Sequence, residues 1–569
     1  MRGFVSSMPA RRGVAFADGL VLLGLFVLVY AGIRLAGQSP QVVDGPSIST
    51  DPSELPWYAL LSVGRMFAAY VLSLIFTFTY GTMAASSLRA RPVLLPVLDI
   101  LQSVPLLSFL PVVILSLTAI MPAQLAVELS AIVLIFTSQA WNMTYCWYQA
   151  LTTIPGEITE AARIFRMNPW LRFRVVQLPF AAISLLWNSM MSWAGGWFFL
   201  MASEMFTVGQ KDFRLPGLGA FLQEASAKGD MEAIAWGVGT LVAVIVILDI
   251  FVWRPLMAWS ERFKLEMLES EHPPTSWVLE SARSSRLIGW FADVVVDGLL
   301  ERMDSLMSRL LPEGGLRVRA GRVSWLLWVP LGALGLVCAY GAFKASLLLV
   351  QVPGHQWYEI IVGLLATLLR VWTSLALALA VTLPLGLSIG LNPRVARVGL
   401  PLVQVMASIP STALFPVVLM ALMQLPGGLA VASVFLMFMG SVWYMLFNVM
   451  AGASAIPREL ISMSDTVGIR GVERLKTLYL PALFPFLVTG GINATGGAWN
   501  ASIVAEYALV GGGHVATTGL GAVIAQATAA GDYPLLLAST LVMVLTVVGF
   551  NRFFWRRLYN LAAERYVME

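Results

Sequence analysis

A spanning helix needs about 20 consecutive apolar residues, and this chain carries a dozen stretches that meet the requirement. They fall near 14–36, 57–87, 93–119, 125–149, 180–206 and 232–253, then near 324–350, 357–390, 398–423, 428–450, 482–508 and 533–553. No water-soluble packing hides so much apolar surface. Of the 569 residues 58% are hydrophobic and 12% charged, against roughly 25% charged in an average soluble domain. A soluble enzyme and a disordered scaffold are therefore excluded. A formal net charge of +4 is too small for a nucleic-acid partner. Cys146 and Cys338 lie in apolar runs, and His272, His355 and His514 are far apart, so no metal site is expected. The expected fold is an all-α polytopic membrane protein with about twelve transmembrane helices.

Basic residues set the expected orientation, because Lys and Arg favour cytoplasmic loops. Arg2, Arg11 and Arg12 precede a first run that reads as an uncleaved span rather than a signal peptide. Loop 37–56 has acids but no Lys or Arg and is assigned outside; loop 207–231, with mixed charges, is assigned outside with it. Loops 88–92 and 151–178, with Arg89, Arg91, Arg163, Arg166, Arg172 and Arg174, are assigned inside, as are both chain ends. Arg394, Arg397, Arg458, Arg470, Arg474 and Lys476 repeat the inner pattern later in the chain.

The two sets of six spans are copies. An offset of 305 residues places Arg65 on Arg370, Arg89 on Arg394, Pro96 on Pro401, Ser103 on Ser408, Pro105 on Pro410 and Pro111 on Pro416. An offset of 302 then places Trp141 on Trp443, Pro155 on Pro457, Pro179 on Pro481, Trp197 on Trp499, Glu204 on Glu506 and Trp253 on Trp555. Each copy has an even number of spans, so the repeats are parallel, related by an axis along the membrane normal. We read residues 1–253 as a first six-helix unit, 254–322 as a cytoplasmic linker and 323–569 as a second six-helix unit. The linker holds ten basic and ten acidic residues. It carries an amphipathic stripe at Leu287-Ile288, Phe291, Val294-Val295 and Leu299-Leu300 that suits a helix lying on the membrane or on a partner.

Between the fourth and fifth spans each unit has a long inner loop. In the first, Pro155 stands where a helix begins, with Glu157 and Glu160 near its N-terminus, where the helix dipole favours acids. Asn168-Pro169 is an N-cap followed by a first-turn proline, so a second short helix starts there. The loop resembles the EAA loop of binding-protein-dependent ABC transporter permeases. Glu160-Ala161-Ala162 and Leu178-Pro179 match that pattern, with Arg166 where the family has glycine. In the second loop Pro457, Glu459, Gly468 and Leu480-Pro481 match, while Ser462-Met463-Ser464 replaces Glu-Ala-Ala. Since a side chain disfavours the left-handed conformation that ends such a helix, Gly468 is expected to adopt it and Arg166 to be bypassed by a different turn.

Within that superfamily the chain looks most like the fused nitrate, sulfonate, bicarbonate and taurine permeases, through Ser103-Val104-Pro105, Ser408-Ile409-Pro410, and Trp499 with Glu506 and Gly519-Leu520-Gly521. The resemblance implies a type I importer permease fold in a bacterial inner membrane. It implies two cytoplasmic ATPase subunits that take up the two loops, a periplasmic binding protein that delivers a small anion, and ATP and Mg bound on the partner ATPase rather than on this chain. No Gly-x-x-x-x-Gly-Lys-Ser/Thr run is present to cradle phosphates. A stand-alone carrier driven by an ion gradient is the alternative, but it has no use for duplicated docking loops.

Candidate pathway residues are the polar side chains of the third and fifth spans: Ser103, Ser108, Ser408, Ser411 and Thr412, with Asn188, Ser192, Asn493, Thr495 and Asn500. Such groups also glue helices together. Glu204 and Glu506 are candidates for an outer gate or for docking the binding protein, with structural hydrogen bonding the competing role. Arg65 and Arg370 read as snorkelling interfacial residues. No acid–base or nucleophile constellation appears, so no catalytic residue is assigned.

Overall fold

A computed structural model describes residues 16–37, 45–87, 90–208, 211–263, 276–284, 297–310, 336, 339–422, 427–510 and 513–565. Arg2, Arg11, Arg12, Arg89, Cys338, His272 and the stripe residues 287–295 lie outside them, as does the first part of the predicted span 324–350. The first half runs through α1 (Phe16–Ala36), α2 (Leu55–Ser86), α3 (Arg91–Ser103), α4 (Leu110–Thr118), α5 (Ala123–Thr153), α6 (Gly156–Ile164), α7 (Pro169–Arg172), α8 (Leu178–Glu204), a hairpin β1 (Thr207–Val208) and β2 (Lys211–Asp212), α9 (Leu218–Lys228), α10 (Met231–Leu248) and α11 (Arg254–Ser260). Two helices, α12 (Trp277–Ser284) and α13 (Asp297–Leu310), come from the linker. A short apolar helix α14 (Ala339–Val350) opens the rest. It continues with α15 (Gly354–Leu391), α16 (Pro393–Ser408), α17 (Ser411–Leu422), α18 (Gly428–Ser454), α19 (Arg458–Thr466), α20 (Gly471–Arg474), α21 (Leu480–Ala505), the hairpin β3 (Tyr507–Val510) and β4 (Gly513–Ala516), α22 (Leu520–Ala530), α23 (Tyr533–Phe550) and α24 (Arg556–Arg565).

The duplication read from sequence reappears in local structure. Gly229 and Gly531 both end a helix in the left-handed region, at φ +67° and +68°. The next residue then caps the following helix: Asp230 accepts from the Ala233 N–H at 3.0 Å and Asp532 from the Leu535 N–H at 3.1 Å. Four five-residue π turns pair off in the same way, Phe173–Gln177 with Leu475–Tyr479 and Asp249–Trp253 with Asn551–Trp555. In each half three long helices lie side by side, α2–α5–α8 and α15–α18–α21. Val29 and Ile33 of α1 and Val112 of α4 belong to the apolar core around Leu436, Trp499 and Leu536, so the first half reaches into the second.

Two expectations change. Among the described residues eight helices are long and apolar enough to cross a membrane, or nine if one bent pair counts as a span. The predicted continuous span 93–119 is that pair, bent by 86°. The cause is local: Pro105 has no N–H to donate and forces Val104 into extended conformation, at φ −78° and ψ 132°. Ile409 before Pro410 does the same between α16 and α17, at φ −74° and ψ 115°, so the predicted span 398–423 is also divided. Loop 207–231 is not an open loop either, for α9 buries Leu218, Phe221, Leu222 and Ala225 against its neighbours.

Candidate functional site

At one end of the molecule stand the two loops between the fourth and fifth spans of each half. Helix α6 follows Pro155, with Glu157 in its first turn. Ala162 is buried, Ala161 half-buried, and Glu157 and Glu160 are exposed. The helix closes with the Phe165 N–H on the Ala161 carbonyl, the Arg166 N–H on that of Arg163 and the Met167 N–H on that of Ala162, at 3.0, 3.0 and 3.1 Å. The second loop closes identically, through Val467 on Met463, Gly468 on Asp465 and Ile469 on Ser464, at 3.0, 3.1 and 2.9 Å. Gly468 sits at φ +82° and Arg166 at φ +50°. The expectation that Arg166 would be bypassed is therefore wrong. Three closing hydrogen bonds outweigh the roughly 1–2 kcal/mol that a side chain costs in this region. Asn168 caps α7 as read, accepting from the Leu171 N–H at 2.7 Å. Both loops present apolar side chains to solvent, Ile164 and Phe165 in one and Met463 and Val467 in the other, all more than 60% exposed. Pro457, Glu459 and Ser462 are exposed beside the latter pair.

The linker meets the first loop. Asp304 of α13 accepts from the Trp170 indole N–H at 2.7 Å and pairs with Arg174. Partial desolvation raises the Asp304 carboxyl, but hydrogen bonds from Arg174 and Trp170 prevail and hold it below its ordinary value.

Between the halves, two contacts repeat about the pseudo-two-fold. The Leu107 N–H donates to Asn500 Oδ1 at 3.4 Å, and Thr412 Oγ1 donates to the Phe198 carbonyl at 3.5 Å; Leu107 corresponds to Thr412 and Phe198 to Asn500. The breaks after Ser103 and Ser408 thus dock on the fifth-span helix of the opposite half. Ser108 and Thr495 are buried and bonded to backbone carbonyls of their own segments, at 2.6 Å each. Asn188 donates to the Ser184 carbonyl at 2.9 Å, and Asn493 is half-buried. Ser192 and Ser411 are buried with hydroxyls that have no hydrogen-bond partner among the described residues. The side chains of Ser103 and Ser408 lie outside the described residues. Towards the loop end Gln404 donates to Asp249 across the halves at 3.3 Å, beside a small cavity lined by Trp193, Trp197 and Trp253.

At the opposite end Glu204 and Glu506 are each fully buried, at 0% exposure. Glu204 Oε1 accepts from Ser62 Oγ at 2.7 Å and from Arg65 Nη1 at 2.8 Å, and Oε2 from the Gly219 N–H at 2.8 Å. Glu506 repeats the set with Thr367 at 2.7 Å, Arg370 at 2.9 Å and the Gly521 N–H at 2.8 Å. Each hydroxyl also accepts from the first N–H of the short helix, Leu218 or Leu520. Helix α2 or α15 is thereby tied to the end of α8 or α21 and to the N-terminus of α9 or α22, where the dipole favours the carboxylate. Arg65 is 5% exposed and also makes two 2.7 Å bonds to Glu128. The snorkelling reading of the arginines therefore fails: they point into the protein, onto carboxylates. Ser62 and Thr367 went unnoticed in the sequence, although each lies three residues before its arginine at the common offset. Among the described residues no group of three or more His, Cys, Asp or Glu could hold a metal ion.

The model of the family described as "Binding-protein-dependent transport system inner membrane component" matches residues 77–263 and again 382–560. The bicarbonate transport system permease protein CmpB of Synechocystis is 30% identical over 147 residues, 26% of this chain and 51% of that protein. The nitrate import permease protein NrtB of Synechocystis is 27% identical over 188 residues, covering 33% and 63%, and that of Leptolyngbya laminosa 26% over 243 residues, covering 41% and 82%. The chain thus spans about half the length of the bicarbonate relative it matches.

Proposed function

Because the chain belongs to the family of binding-protein-dependent transport system inner membrane components, which matches it twice and over more than half its length, we propose that it is the membrane subunit of an ATP-driven importer for a small anion. The solute is of the nitrate, bicarbonate or sulfonate class. The observation that carries the reading is the pair of inner loops, closed by the same turn and both exposing apolar side chains at one end. Two cytoplasmic ATPase subunits, which bind ATP and Mg, take up α6 and α19. Glu157, Glu160, Glu459 and Ser462 flank the contacts, and Arg166 and Gly468 set the turns. A periplasmic binding protein meets the opposite end, and both chain ends lie in the cytoplasm of a bacterial cell.

The geometry supports transmission of force. Each docking helix leads through a short helix and a π turn into the pathway helix, in one apolar stretch over Pro169–Glu204 and another over Gly471–Ala505. A rigid shift of the loop therefore moves Asn188, Ser192, Asn493, Thr495 and Asn500 with it. These side chains, with Ser103, Ser108, Ser408, Ser411 and Thr412, form the polar lining of the alternating-access pathway, and the Glu204 and Glu506 clusters fasten its outer end. An anionic solute suits a lining of hydroxyl and amide groups, which offer hydrogen-bond donors and no carboxylate repulsion.

Uptake measured in cells with and without the gene tests this reading. Loss of labelled nitrate, bicarbonate or sulfonate uptake on deletion is expected. Loss of cation uptake with all three anions unaffected would overturn it.

A further inference from the structure

The two loops are braced in different ways. In the second, Arg474 pairs with Asp465 of the same loop and donates to the Ile469 carbonyl at 3.0 Å. The corresponding residues of the first loop are Arg172 and Arg163, two like charges that cannot brace one another. Its brace comes from outside, through Asp304 on Trp170 and Arg174. The residues that receive Asp304 are themselves particular to the first loop, since Val472 and Lys476 stand in their places in the second and are exposed. Behind Trp170 the contact continues inward: Trp170 stacks on Phe173 at 5.8 Å, and Phe173 packs on Phe78 and Trp147 at 5.1 and 5.7 Å. The linker has a second anchor on the same half, where Trp277 of α12 packs on Phe251 at 6.1 Å.

We infer that the linker is a strap on the first half and that Asp304 is a positioning residue for the first ATPase-docking loop, doing from outside what Asp465 does within the second. The inference rests on the loops being docking sites, and it assigns them unequal supports: one loop carries its own brace and the other borrows one.

Two measurements on the full chain in membranes separate the strap from the docking. In a background lacking Cys146 and Cys338, Arg174→Cys with Asp304→Cys should oxidise to an internal cross-link, whereas Lys476→Cys with Asp304→Cys should not. Equal cross-linking of both pairs would overturn the strap, whatever the loops do. For docking, a photo-cross-linker is placed at position 165 or 467, and the trapped partner is identified by labelling with photoreactive ATP. Asp304→Ala should lower capture at 165 by about threefold to tenfold, the range that a half-exposed charged pair supports, and leave capture at 467 unchanged. Adding Arg163→Asp, which supplies the internal acid of the second loop, should restore it. Equal effects at the two positions, or no effect at either, would overturn the positioning role. If the unaltered chain captures no ATP-labelled partner at 165 or 467, the docking reading is what fails, and Asp304 is then no positioning residue for it.

Discussion

The two buried Arg–Glu clusters share a plan and differ in one member. Around Glu204 and around Glu506 the arginine, the hydroxyl and the glycine N–H are the same in kind and nearly the same in distance. Arg65 then places Nε and Nη2 on a second carboxylate, Glu128, whereas Arg370 places Nη2 on the Thr517 hydroxyl at 3.0 Å. Position 128 corresponds to Ala430 in the second half. The shared part is what the fold requires to fasten the short helix to the fifth span. The third ligand is free to vary because it lies at the cluster's edge, where the Glu128 side chain is 40% exposed.

The sharpest way to break the comparison is to remove the arginines. Arg65→Ala strands two carboxylates, and should cost about 3–5 kcal/mol or prevent folding, as deletion of one partner of a buried pair does. Arg370→Ala strands one and should lie at the lower end of that range. Thermal midpoints in lipid nanodiscs would show it, and equal losses would mean that Glu128 adds no burden of its own. Next come Gly217→Ala and Gly519→Ala. Both glycines are extended, so strain is not at issue, but an added Cβ would fall on the Glu204 or Glu506 carboxylate. Each should lose about 1–3 kcal/mol, as overpacking does. A loss at one glycine with none at the other would refute the claim that the two clusters are equivalent where they overlap.

Smaller effects are expected at the loops. Arg166→Gly should raise stability by about 1 kcal/mol by releasing a side chain from the left-handed region, and Gly468→Arg should lower it by a similar amount. Opposite signs of comparable size in a melting series would show that the two turns are one motif. The smallest effect should come from the variable ligands. Glu128→Gln, which keeps a hydrogen-bonding side chain, and Thr517→Val should each cost about 0.5–1 kcal/mol, since the affected contacts lie at the edge of each cluster.

Much of this architecture was legible because duplication doubles every signal. Pro105 and Pro410, or Glu204 and Glu506, could each be dismissed alone, but not at a common offset. What stayed hidden were the partners. Arg65 near the end of an apolar helix looks like any snorkelling residue, since its carboxylates sit 63 and 139 positions away on other helices. Hydropathy also passes smoothly over Val104-Pro105, because averaging over a window registers apolar character and not backbone geometry. Arg166 misled for the opposite reason: local propensity was read correctly, and three hydrogen bonds overrode it. Asp304 lay in a segment whose apolar stripe drew attention away from its acids.

The π turns at the loop end have a consequence for phase and reach. Each inserts one residue beyond the regular α repeat, so the face that α8 or α21 turns to the opposite half is rotated by about 100° from where an unbroken helix would set it. Deleting a single residue within Phe173–Gln177 would thus turn Met190, which accepts from Gln404, and Gly195, which faces the Tyr444 hydroxyl, away from the opposite half without touching either. The stretch Pro169–Glu204 has 36 residues, which at 1.5 Å each is about 54 Å of helix against a hydrocarbon core of about 30 Å. A substantial part of each helix therefore stands clear of the bilayer, with its one irregular turn near the base. In mechanical terms the molecule carries two long levers, and each is indexed, one notch out of register, at the end that bears its exposed loop.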